Sequence, residues 1–381
     1  MDRLARPPAR GRRRARPAAA ALLLLLAAAL TACGYGSRPG PGPVAAAAPA
    51  GAAAARLSAG SVTLGYFPNL THATALVGVR EGLIQRELGG TTLKTTTFNA
   101  GPAEIEALGA GAVDIGFIGP SPAVNGYAKS KGRSLRIISG SASGGVKLVV
   151  NPDRIKTPDD VLGKRIATPQ LGNTQDVAFL DWAAGRGWKV DAASGKGDVS
   201  VVRTNNTITP DAYRSGAVDG AWVPEPTASK LVAEGATVLL DESDLWPGGK
   251  FVITNVVVSQ KFLKEHPDVV EAVLRGTVRT NEWINAHRDD AKASANAALK
   301  TLTGKELEPE VIDRAWPSIL VTDDPLAATL SAQAGHAVRA GLLERPDLTG
   351  IYDLGPLDKV LGSLHKPPVT PPGPGTDDRR R

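Results

Sequence analysis

An α/β protein of two lobes is what this sequence predicts, and three observations carry that reading. The chain has 381 residues, more than one ordinary hydrophobic core organises and enough for two. Short buried-strand patterns alternate with helical ones along most of it, the mark of largely parallel sheets with helices on both faces. One segment is also echoed: residues 111–123 can be laid over residues 216–228 with five of thirteen positions identical. Each copy reads as helix, tight turn at glycine, buried strand, loop, helix. Two lobes of related build would each offer a strand-end loop to a shared cleft, because ligands of open α/β sheets sit outside the carboxyl ends of the strands.

The elements follow in order. Residues 1–16 hold seven arginines (Arg3, Arg6, Arg10, Arg12, Arg13, Arg14, Arg16) and one acid, Asp2. The apolar run at 18–30 is too short to cross a bilayer at about 1.5 Å per residue. A basic stretch followed by a short apolar one reads as an export signal over 1–32. It ends Leu30-Thr31-Ala32-Cys33-Gly34, which resembles the bacterial lipobox, where the cysteine after the cut is diacylated. Two acyl chains would make a stable anchor. Cys33 is the only cysteine of the chain, so it has no partner for a disulfide within it. Lys and Arg number 44 against 38 Asp and Glu, a net charge of +6. That excess sits in the first 32 residues. What remains is neutral, which excludes a nucleic-acid partner argued from a basic surface.

Residues 33–59 are mostly Gly, Pro and Ala and are expected to be a flexible tether. The tail at 366–381 is rich in proline and expected to be disordered. Between them, strands are predicted at 61–66, 93–98, 113–118, 135–138, 147–150, 165–168, 199–202, 221–223 and 251–258. Helices are predicted at 72–88, 103–108, 174–184 and 211–215, with helical patterns dominating after 258. One lobe is expected from 61–150 together with 251–365, the other from 151–250. No second apolar stretch reaches spanning length, and the body is expected to be a soluble monomer.

Five stretches could hold a ligand. In Tyr66-Phe67-Pro68-Asn69-Leu70-Thr71-His72 a strand ends and a helix begins, with Asn69 or Thr71 as the cap and His72 within reach of a hydrogen bond. Gly119-Pro120-Ser121-Pro122 lets a ligand approach the backbone and offers the Ser121 hydroxyl. Ser141-Ala142-Ser143-Gly144-Gly145 reads as a glycine-rich loop. Pro169-Gln170-Leu171-Gly172-Asn173-Thr174-Gln175 gathers hydroxyl, amide and backbone donors at the positive end of a helix. Trp222-Val223-Pro224-Glu225-Pro226 supplies an indole that could stack on a ligand and a carboxylate. Glu225 has three readings: paired with a base, making an interlobe contact, or meeting the ammonium of a zwitterion. For each stretch, ordinary capping, turning and packing is the competing account. The five histidines do not show metal-ligand spacing, and no cofactor is implied. Neither a nucleophile elbow nor a P-loop occurs in the sequence.

Taken together, Gly65 to His72, Gly111-Ala112-Val113-Asp114 with Gly119 to Pro122, residues 163–176, and Val223 to Pro226 resemble the nitrate/sulfonate/taurine class of ABC-importer binding proteins, closest to its aliphatic sulfonate-binding branch. The resemblance runs from about Ser61 to Thr322. It implies a two-lobed periplasmic-binding-protein fold of type II, with two interlobe crossovers and the ligand in the cleft. It implies a non-enzymatic, lipid-anchored, extracytoplasmic subunit that closes on a small anion and delivers it to a membrane permease with its ATPase. Carried over by position, the contacts are Asn69, Ser121, Gly145, Asn173, Thr174, Gln175 and Trp222. Aromatic residues beside the loops favour an anion with a carbon tail, an aliphatic sulfonate or taurine. Nitrate or bicarbonate, a thiamine precursor, and a ligand-sensing lipoprotein are the alternatives.

Overall fold

The computed structural model describes residues 56–369; Cys33, the export signal, most of the tether and most of the tail lie outside them. The chain first builds β1 (Ser61–Tyr66), α1 (Ala73–Arg80), α2 (Leu83–Leu88), β2 (Thr92–Thr97), α3 (Gly101–Gly109), β3 (Ile115–Ile118), α4 (Pro120–Lys129) and β4 (Leu135–Gly144). It then crosses over and builds β5 (Val146–Val150), β6 (Arg165–Thr168), α5 (Thr174–Gly185), β7 (Ser200–Arg203), α6 (Thr209–Arg214), β8 (Gly220–Pro224), α7 (Thr227–Ala233) and β9 (Thr237–Asp241). A second crossing leads to β10 (Val252–Ser259), α8 (Gln260–Glu265), α9 (Pro267–Ala286), α10 (Arg288–Thr303), α11 (Pro309–Ala315), β11 (Ile319–Val321), α12 (Ala327–Arg339) and α13 (Gly355–Ser363). The helix expected over 72–88 is broken in two at Gly82, whose φ of +66° is a left-handed conformation that ends helices.

Two separate sheets result, in the orders β11-β4-β10-β3-β1-β2 and β7-β6-β8-β5-β9. The echoed strands β3 and β8 hold equivalent places. Each lies beside a parallel neighbour, β1 or β6, and an antiparallel one, β10 or β5. The sheets are therefore mixed and not largely parallel. The reason is topological: β5 and β10 are the strands that enter from the opposite lobe, and they arrive running the other way.

The first crossing is tighter than the sequence suggested. β5 belongs to the second sheet, so the expected boundary at 150 moves back to Gly144-Gly145, both with positive φ. A Cβ on Gly144 would stand 2.5 Å from the Ser318 carbonyl oxygen, and one on Gly145 2.3 Å from Ile319 Cδ1. Ser141 to Gly144 lie within β4, not in a loop.

Apolar side chains of the first sheet, among them Leu64, Ile115, Phe117 and Val256, share one core with α9 and α12. The second sheet buries both faces: Leu148, Ile166 and Trp222 on one, their neighbours Val149, Ala167 and Ala221 on the other, as strand alternation requires. The segment after β10 is not confined to the first lobe. α11 packs on α7 and α12 on α5, where Arg339 reaches Asp181 at 2.8 and 3.0 Å. Both flanks are also shorter than expected. Leu57 packs on the first core and Ser58 bonds Asp268, so the tether ends before 59. Lys366 pairs with Glu282 at 3.0 Å, and Val369 packs on the same core.

Candidate functional site

The carboxyl ends of the parallel strands of both sheets meet in one small cleft. β1 leads to Phe67, Asn69, Thr71 and His72; β2 to Asn99; β3 to Gly119; β6 to Asn173, Thr174 and Gln175; β7 to Asn206; β8 ends on Pro224; and β10 adds Ile253. The cavity within it is about 20 Å³, room for a water-sized group. Every polar side chain in this lining is neutral at pH 7.

The first-lobe wall is fixed locally. Asn69, in extended conformation, caps the turn at 70–72: its Oδ1 accepts from the Thr71 N–H at 3.1 Å and the Thr71 hydroxyl at 2.7 Å. His72 is buried and stacks on Phe67, ring centres 4.4 Å apart. The Phe67 N–H donates to His72 Nδ1 at 3.3 Å, which leaves the proton of the neutral ring on Nε2. Burial holds its pKa down to about 3, so the ring stays uncharged near neutrality and Nε2–H is a donor.

The second-lobe wall is the start of α5. Gly172, with φ +74°, makes the turn, and Asp176 ties it down. Its carboxylate accepts from the Gly172 N–H at 3.0 Å and the Thr168 hydroxyl at 2.7 Å, and pairs with Arg203 at 2.9 Å. Asn173 occupies the cap position without capping. Its Oδ1 instead accepts from the Gly101 N–H of α3 at 3.3 Å, across the cleft, while its amide donates to Gln175 Oε1 at 3.0 Å. Thr174 is 3% exposed, and its Oγ1 has no hydrogen-bond partner among the described residues. The first N–H groups of a helix lack acceptors within it, so donors converge here at a positive helix end.

Five expected contacts therefore line the cleft: Asn69, His72, Asn173, Thr174 and Gln175. Four do not. Trp222 lies in the second-lobe core against Phe179 and Trp182, its indole N–H committed to Glu242 at 2.7 Å; a side chain at 0% exposure cannot stack on a ligand. Glu225 is equally buried. One of its oxygens pairs with Lys147 at 2.6 Å, the other accepts from the Ser229 N–H at 3.0 Å, and its backbone oxygen accepts from the Leu70 N–H across the lobes at 3.1 Å. Two of its three readings thus hold together, and the ammonium reading falls because the carboxylate is taken. Gly145 serves the crossing. Ser121 sits in the first turn of α4, beside the lining, its Oγ buried without a partner among the described residues.

The sequence reading missed Asn99 and Asn206. They occupy equivalent loops, after β2 and β7, and the signal was available: each precedes a helix that starts two or three residues later. The Asn206 Oδ1 is buried and without a partner among the described residues. Among the described residues no group of His, Cys, Asp and Glu could hold a metal ion.

Residues 56–300 match the NMT1-like family. The chain belongs to that family. Over 200 residues it is 28% identical to the taurine-binding periplasmic protein of Escherichia coli (strain K12), a match covering 52% of this chain and 60% of that protein, under two thirds of its length. It is 27% identical over 283 residues to the putative aliphatic sulfonates-binding protein of Bacillus subtilis (strain 168), covering 72% and 80%. The structure of the alkanesulfonate-binding protein SsuA from Xanthomonas axonopodis pv. citri, bound to MOPS, superposes with a TM-score of 0.62 at 21% identity, over 75% of this chain and 96% of that one. Together with the two sheets and two crossings, this likeness makes the NMT1-like chain a two-lobed periplasmic solute-binding fold.

Proposed function

We propose that this chain is the extracytoplasmic solute-binding subunit of an ABC importer. It captures a small organic anion, an aliphatic sulfonate or taurine, and delivers it to a permease served by an ATPase. The observation that carries the proposal is the lining of the cleft: neutral donors from both lobes, the positive end of α5, and apolar walls from Phe67, Pro224 and Ile253. A weakly hydrated monoanion can be held by hydrogen bonds and a helix end without a full counter-charge. A dianion would need more charge than these groups supply. Of the two candidates, a plain alkanesulfonate fits better, because Glu225 is spent on Lys147 and Ser229 and gives taurine's ammonium no counter-ion.

Binding without turnover is part of the proposal. His72 is the one lining residue that titrates near neutrality in model peptides, and burial takes its pKa to about 3, too low for a general base at pH 7. Export and lipid attachment at Cys33, and a monomeric state, complete it. Thermal-shift screening against alkanesulfonates, taurine, nitrate and bicarbonate tests the reading. Stabilisation by butanesulfonate above the others is expected, and stabilisation by nitrate alone would overturn it.

A further inference from the structure

Gly119 ends the loop from β3 to α4 with φ −66° and ψ 152°. Any residue adopts these angles, so the backbone gives no reason for glycine. The neighbours do. A Cβ at 119 would stand 2.5 Å from Thr174 Oγ1 and 3.6 Å from Thr174 Cβ, and Thr174 belongs to the other lobe. One turn of chain away in space, the Gly101 N–H meets Asn173 Oδ1 at 3.3 Å. The Asn173-Thr174 corner of α5 thus comes down on two glycines of the first lobe. We propose that Gly119 is the closure stop of the cleft: its bare α-carbon sets how near the start of α5 comes to α4, and so how tightly the anion is gripped. It lines the cleft, and the role proposed for it is positional, acting through Thr174.

The inference rests on reading the cleft as the ligand site, and its test separates the two. Gly119→Ala places a methyl against Thr174 Oγ1. Under the proposal the 2.5 Å contact is relieved by the lobes separating by about 1 Å, and not by the Thr174 side chain turning aside. Crystal structures of wild type and Gly119→Ala without ligand are expected to show that widening between residue 119 and Thr174. Butanesulfonate is expected to bind the variant at least tenfold more weakly. Its melting temperature without ligand falls little or not at all, because the backbone angles at 119 suit alanine and the strain is confined to the contact between lobes. The double variant Gly119→Ala/Thr174→Ala removes the atom that is struck and regains the wild-type spacing. Unchanged spacing in the single variant, or a spacing that stays wide in the double one, overturns the proposal. If wild type binds no butanesulfonate while the spacings respond as stated, the ligand reading fails and the closure stop stands.

Discussion

The two lobes repeat one five-strand arrangement, β2-β1-β3-β10-β4 and β7-β6-β8-β5-β9, yet they hold it together differently. In both, an aspartate just before the central strand accepts the N–H of the parallel neighbour: Asp114 from Thr63 at 2.8 Å, Asp219 from Arg165 at 2.9 Å. The glycines three residues earlier, Gly111 and Gly216, share φ values of +74° and +70°. This is the physical content of the echoed Gly-Ala-Val-Asp. Only the second lobe adds guanidinium partners, Arg154 and Arg165, to its aspartate. Burial pushes the Asp219 carboxyl upward, and bonds from Arg165 and Arg154 outweigh it, bringing its pKa to about 2. At the cleft the lobes part further. The first presents a stacked, capped wall; the second braces its loop with a buried ion pair and leaves a hydroxyl unpartnered. The shared bond belongs to the fold; the capped wall and the braced loop belong to the site.

The largest effect that could break this comparison is at the brace. Asp176→Ala leaves Arg203, only 15% exposed, without its charge partner, and removing one member of a buried pair costs about 3–5 kcal/mol. Denaturant unfolding should show that loss, and a cost under about 1 kcal/mol would mean the loop stands without Asp176. Next come the paired aspartates. Asp114→Ala and Asp219→Ala each remove a carboxylate bonded to backbone, about 1.5–3 kcal/mol. Arg154 and Arg165 are 47% and 41% exposed, so their pairs add only about 0–1 kcal/mol. With two such pairs, the variants should differ by no more than about 2 kcal/mol. A far costlier Asp219 would make the ion pairs, not the shared bond, the reason for the residue.

The smallest effect concerns protons. His72, pKa about 3, takes up a proton in the unfolded chain at about 6.5, so its contribution is present above that pH and lost as pH falls toward 3. Glu242 runs the other way. Burial raises its pKa to about 7, so its contribution is present below the ordinary carboxylate range and lost as pH rises through 7. The lobes oppose each other between pH 5 and 6. The stability of His72→Gln relative to wild type should therefore rise by about 1 kcal/mol on going from pH 6 to pH 5. Equal slopes for the two proteins would contradict the buried, neutral ring.

Strands, the echo and the start of α5 were legible in the sequence because each depends on neighbours in the chain: alternation, a glycine turn, a capping residue. What was not legible depends on partners far away. Trp222 is an aromatic at a strand end, and nothing local says that Glu242, across the sheet, takes its indole N–H. Glu225 looked exposed to a ligand because Lys147 lies 78 positions earlier. The boundary at 150 failed because β5 reads as the continuation of β4, and only pairing with β8 reveals the crossing. Asn99 and Asn206 were within reach once the echo was extended from β3 and β8 to the strands before them.

The central claim is that the anion's head sits at the start of α5, on Thr174. Titration of butanesulfonate into wild type and Thr174→Val, with a melting curve for each, tests it most directly. A hydrogen bond to a charged group is worth about 1.5–3 kcal/mol, so the account predicts binding weaker by about ten- to a hundredfold. Because Oγ1 has no partner among the described residues, replacing it by a methyl should leave the melting temperature unchanged or raise it. Unchanged affinity with a lowered melting temperature would contradict the account and make Thr174 a residue of the fold alone.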